Sequence, residues 1–149
     1  MKIKSLILIF LSVLMFSSIR NDCKAQNTGA DLNGSTFRGK AVEETPPDVD
    51  RMPVTMNELI IFSNGKVTGE LMKKYSVNDC SYTSFVDERR MIAVKVVRFN
   101  AECEGVYEGK KVTLNITGDI YADLRMSAEV SVKIIDNPEI LFHITAEAE

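Results

Sequence analysis

The chain has 149 residues, with 18 Lys and Arg against 21 Asp and Glu, one histidine, three cysteines and no tryptophan. That length fits one domain, and an acidic balance with no basic stripe argues against nucleic acid or an anionic membrane face as a partner. One histidine and no Cys-x-x-Cys leave no zinc-ligand spacing, and the sequence has neither a Gly-x-Ser-x-Gly elbow nor a phosphate-cradling glycine loop.

Residues 1–4 are a short cationic head and 5–19 an apolar run, too short to span a bilayer comfortably. Cys23 and Ala25 then place small residues at −3 and −1 before Gln26, as in a secretory signal peptide covering residues 1–25. The expectation is an exported protein, periplasmic or secreted. Lipidation at Cys23 is the alternative, disfavoured by the charged Arg20-Asn21-Asp22 before it. The leader carries four bases and one acid, so 18 and 21 fall to 14 and 20, a net charge near −6. Two cysteines remain, Cys80 and Cys103, and export makes a disulfide between them plausible.

Residues 26–33 are polar and Gly/Asn-rich, which suits a flexible lead-in to a domain over 34–149. The first strand is expected near 35–44. Residues 45–53 hold three prolines, which exclude helix interior and central strand, so this is a long surface loop of the kind that often binds. Asn64-Gly65 is a strong hairpin signal between strands at 58–62 and 66–75. A two-residue turn there pairs Phe62 with Val67 and puts Ile60, Phe62, Val67, Gly69 and Leu71 on one inward face. Residues 75–79 allow a brief helical turn.

A fourth strand is expected at 81–87, a turn at Glu88-Arg89 and a long strand at 91–103. Ile92, Val94 and Val96 share one parity in it, while Val97, Phe99, Ala101 and Cys103 share the other, which a β-bulge near Val96-Val97 would reconcile. A hairpin centred on Glu88-Arg89 sets Cys80 opposite Val97, about 20 Å along the strand from Cys103. The disulfide then requires an irregular register. Strands at 111–121 and 125–135 pair Ile116 with Val130 and Leu114 with Val132 only across a three-residue loop, Ala122 to Leu124. Met126 and Val130 lie on that inward face. After the Asp136-Asn137-Pro138 turn, the last strand, 139–145, points Ile140, Phe142 and Ile144 inward and His143 outward.

Eight consecutive strands with one buried face suit an all-β, closed, antiparallel up-and-down barrel; a β-sandwich is the alternative. Glu43, Glu44, Asp48 and Asp50 read as a solvated loop, because a calcium-loop pattern is incomplete around them. Glu102 and Glu104 share a face but show no acid partner. The methionines read as core filler, and the tyrosines near strand ends as rim residues. No catalytic constellation emerges, and neither a metal nor a cofactor is expected.

Leu32-Asn33-Gly34-Ser35-Thr36-Phe37 resembles the opening element of lipocalin-like barrels, with Phe37 where such proteins often carry tryptophan. Residues 60–67 resemble the second hairpin of the small, secreted, lipocalin-like proteins of Gram-negative bacteria. Cys80 with Phe85, then Phe99-Asn100-Ala101 and Gly118-Asp119-Ile120, continue that pattern. The resemblance implies an eight-stranded barrel of mostly unassigned function and no catalytic residues. Two functions follow as expectations. One is a barrel holding a small apolar or amphipathic ligand among Ile60, Phe62, Gly69, Leu71, Phe99, Met126 and Val130. The other is an envelope interaction or inhibitor protein acting through its surface loops on a protein partner.

Overall fold

The computed structural model describes residues 30–45, 50–89 and 94–149. They form β1 (Thr36–Glu43), β2 (Thr55–Ser63), β3 (Lys66–Thr68), a short helix α1 (Glu70–Lys74), β4 (Cys80–Arg89), β5 (Val94–Tyr107), β6 (Lys110–Tyr121), β7 (Arg125–Ile134) and β8 (Ile140–Ala148). Each strand pairs antiparallel with the next, and β8 returns to pair with β1, so the sheet is a closed barrel and not a sandwich. The proposed leader and residues 26–29 lie outside the described residues. Residues 30–33 belong to the fold: Leu32 is buried, and Gly34 N–H donates to the Phe62 carbonyl at 2.8 Å.

Local chemistry sets most of the turns. Asn64 and Gly65 have φ of 54° and 72°, the double positive that joins two strands without splaying them. Phe62 pairs with Val67 as the sequence predicts. The three-residue β6–β7 loop also forms, with Leu124 at φ 65°, and Ile116 faces Val130. Strict alternation along β6 and β7 then buries Val112, Leu114 and Ile116 against Val130 and Val132.

Three expectations fail. The strand predicted over 66–75 stops at Thr68, because Gly69 interrupts it and Glu70-Leu71-Met72-Lys73-Lys74 are good helix formers and poor strand formers. The parity of Val67, Gly69 and Leu71 mimics a strand, but Leu71 reaches the core from α1. Second, the β4–β5 connection is 90–93, not Glu88-Arg89: Arg89 pairs with Val94 and Val86 with Val97. Carrying that register back from the Tyr82–Ala101 pair brings Cys80 opposite Cys103, and the two form a disulfide with Cα atoms 5.3 Å apart. Third, β5 keeps an unbroken register with both neighbours past Val96 and Val97, so no bulge is present.

The core lies inside the barrel around Phe62. Its ring meets Phe37, Tyr82 and Phe99 edge-on, with centroids 6.2, 5.1 and 5.0 Å away. Gly118 makes this possible, since a Cβ there would lie 2.4 Å from the Phe99 ring. Gly39 plays the matching part at the seam, where its Cβ would fall 1.9 Å from the backbone oxygen of Thr145.

Two stability predictions follow from this geometry. Gly39→Ala is expected to destabilise the barrel by about 3 kcal/mol or more, because backbone and not a mobile side chain blocks the new methyl; a guanidinium titration reads it. Replacing Cys80 and Cys103 by serine is expected to remove about 3 kcal/mol, since the bridge closes a segment with a sequence separation of 23. A Tm unchanged by reductant would contradict that.

Candidate functional site

The residues expected to line a ligand chamber are all buried. Ile60, Phe62, Leu71, Phe99, Met126 and Val130 are each at most 4% exposed, and Gly69 is buried beside them. They leave little room. The cavity bounded by Ile60, Gly69, Leu71, Ile116, Val130 and Ile144 holds about 10 Å³. A site for a small organic ligand needs about 300 Å³ or more. Among the described residues the lumen is therefore packed with side chains, as the width of an eight-stranded barrel allows.

A carboxyl enters this interior. Glu58, on β2, is 2% exposed and sits at the edge of that cavity. Its two carboxylate oxygens accept the backbone N–H groups of Glu70 at 2.6 Å and Leu71 at 2.9 Å, the first two residues of α1. Those N–H groups have no partner within the helix, and the N-cap, Gly69, has no side chain to serve them. Glu58 caps the helix from another strand. Gly69 also makes the space for it, since a Cβ at 69 would lie 2.5 Å from Glu58 Oε1. Burial pushes the Glu58 carboxyl above the usual carboxylate range, and the two N–H bonds offset this only in part. The sequence carried a signal for it, since Glu58 shares strand parity with Ile60 and Phe62.

Glu43 solves the same problem differently. It belongs to the acidic group read as solvated, yet it is 6% exposed at the end of β1. Arg51 holds it with a two-pronged contact, one arm at 3.0 Å, and the hydrogen bond from Arg51 draws its carboxyl below the usual range. Glu44 and Asp50 are exposed as expected, and Asp48 lies outside the described residues.

The remaining candidates face outward or pack in the core. His143 is on the outer face, its Nε2 3.2 Å from Glu44 Oε2. Glu102 is exposed and Glu104 pairs with Lys111 at 2.7 Å. Tyr75, expected at the rim, is buried against Tyr107 and Phe142. No group of three or more His, Cys, Asp or Glu that could hold a metal ion occurs among the described residues. An outer groove of about 570 Å³ runs over β1, β6, β7 and β8; two of the cations that line it are paired, Arg38 with Glu149 and Arg125 with Asp123, and Lys40 lines it as well. No helix among the described residues is long and apolar enough to cross a membrane.

Exposed large apolar side chains stand at both ends of the barrel, with Val86, Tyr121 and Leu124 toward one end and a larger group toward the other. Met52 is 90% exposed in the β1–β2 connection, with Val54 beside it; Val106 stands at the end of β5 and Ile135 just past β7. Up-and-down topology brings these three connections and α1 to the same end.

No family model matches the chain, and neither a curated protein nor a solved structure matches it.

The Glu58 carboxyl carries a pH signature of definite sign. Its value is higher in the folded than in the unfolded protein, so its contribution to stability is full below the ordinary carboxylate range and is lost as pH rises through the raised value. Glu43 has the opposite sign and loses its contribution as pH falls. We expect Glu58→Gln to flatten the decline of Tm on the alkaline side of the carboxylate range and to leave the acid limb in place. An unaltered alkaline limb would show that the buried carboxyl does not titrate there.

Proposed function

We propose that this protein is a non-catalytic interaction module that works through the α1 end of its barrel, and not a carrier that encloses a ligand. The packed lumen supports this reading: the cavity among the described core residues, about 10 Å³, is too small for an enclosed organic ligand. What the barrel offers a partner is therefore its outer surface. Met52, Val54, Val106 and Ile135 supply apolar contact at one end, and Arg51, held by buried Glu43, fixes the chain just before Met52. Anchored apolar side chains on a rigid scaffold are the usual centre of a protein interface.

The partner that suits this end is a protein whose apolar patch is ringed by basic side chains, given the 20 acids and 14 bases after the proposed leader. The leader supports a place outside the cytoplasm, and an exported inhibitor or envelope component fits both features. The resemblance to small lipocalin-like proteins agrees with the barrel and adds no activity.

Affinity capture from envelope extract of the source organism tests the proposal. A partner is expected at low salt, weakened as salt rises, and lost by at least tenfold with Met52→Asp combined with Ile135→Asp while Tm is unchanged. Capture indifferent to those substitutions would overturn it, as would native mass spectrometry showing a small molecule retained in the purified protein.

A further inference from the structure

Glu43 clamps the β1–β2 connection on both sides of one dipeptide. Its carboxylate accepts the Arg51 guanidinium, one arm at 3.0 Å, and more loosely the Val54 N–H at 3.4 Å. Its own backbone N–H donates to the Val54 carbonyl at 2.8 Å. Glu43 is itself fixed, being 6% exposed and paired with Phe142 on β8. Met52 and Pro53 lie between these tethers, and both are exposed. They form a short arch with both feet on one buried residue.

Met52 is the most exposed large apolar side chain among the described residues, at 90%. In the free protein it gains nothing from burial, and a partner's pocket would cover it whole. Methionine is unbranched and adaptable, so it enters a deep apolar pocket without a branch catching at the mouth. Arg51 does not compete for such a pocket, because its guanidinium is committed to Glu43. Pro53 fixes φ on the other side, so less freedom is lost when the arch is bound.

We infer that Met52-Pro53 is an inhibitory arch for a serine endopeptidase with an apolar primary pocket, with Met52 filling the pocket and Glu43 keeping the two sides of the arch together. The inference rests on the reading that the α1 end is the interaction surface, and it names the partner of that surface.

The chemistry follows from the clamp. In such an enzyme the serine oxygen bonds to the Met52 carbonyl carbon as the C–N bond to Pro53 breaks, and the proline nitrogen takes a proton from the enzyme's histidine. In an ordinary substrate the freed amine segment departs, and water then cleaves the ester. Here Pro53 has no such exit, since Val54 is held by Glu43 through two hydrogen bonds and β2 follows it in the sheet. The amine stays beside the ester, returns its proton and re-forms the peptide bond. On the other side, Arg51 keeps Met52 from drawing away. The enzyme is held in its complex and completes few turnovers.

Inhibition assays on the purified protein with chymotrypsin, subtilisin and pancreatic elastase test this. At least one is expected to be inhibited with a Ki of about 1 μM or tighter. Met52→Asp is expected to weaken that inhibition by at least about a hundredfold with Tm unchanged, since an apolar pocket leaves the charge unpaired. Glu43→Gln is expected to turn the inhibitor into a substrate, cut between Met52 and Pro53 at least about tenfold faster than wild type by mass spectrometry. Arg51→Ala frees the same side of the arch and takes its place if Glu43→Gln does not fold. No inhibition of any of the three enzymes at about 10 μM protein overturns the inference. Inhibition that Met52→Asp leaves intact overturns it too, and so does a freed arch that is cut no faster. Capture of an envelope partner that depends on Met52, with all three enzymes untouched, keeps the interaction surface and removes only the peptidase.

Discussion

Closure of β8 onto β1 is the constraint on which the other features depend. Once eight strands close, the width of the lumen is set by strand number and tilt, and the chain has either to fill that space or to leave it for a guest. Here it is filled, with Phe62 at the centre and Phe37, Tyr82 and Phe99 meeting it edge-on. Each such ring gains about 2–3 kcal/mol from burial. Two glycines make the packing fit, one behind Phe99 and one at the seam. An interior packed in this way turns attention to the outer surface.

The exception to uniform closure is where the chemistry gathers. β3 is too short to complete the wall, and a helix with the wrong backbone pattern for a sheet takes its place. A helix start carries N–H groups with no partner of their own, and in an apolar interior these have to be met. Glu58 meets them, and its burial follows from that. Glu43, near the same end of the barrel, is buried too but has Arg51 for a partner. The two carboxyls consequently shift in opposite directions, one ruled by desolvation and the other by a cation.

Much of the fold was legible because it rests on short-range rules. Asn64-Gly65 specifies its own turn, and the pairing of Ile116 with Val130 follows from asking which loop length keeps both residues inside. The reading failed where the local signal was ambiguous. A turn was expected at Glu88-Arg89, but neither residue is a turn former such as Gly, Pro, Asn or Asp, and β4 runs through them. The β4–β5 register, with Arg89 opposite Val94, also reversed the argument against the Cys80–Cys103 bridge. Residues 66–75 satisfied strand parity by coincidence, while their composition already favoured helix. Glu58 was not singled out, although its parity with Ile60 and Phe62 places it on the inward face.

Period-two alternation and turn chemistry determined by themselves that this chain makes eight consecutive strands with one apolar face, since both are properties of residues a few positions apart. Only the tertiary structure decided whether the barrel encloses space, whether Cys80 meets Cys103, and how Glu58 is satisfied. The first is a sum of side-chain volumes around a closed ring. The second depends on the β4–β5 register, which no residue pattern along the two strands marks. The third depends on a helix start brought against a strand twelve residues away in sequence, and none of these is written in any short stretch of the chain.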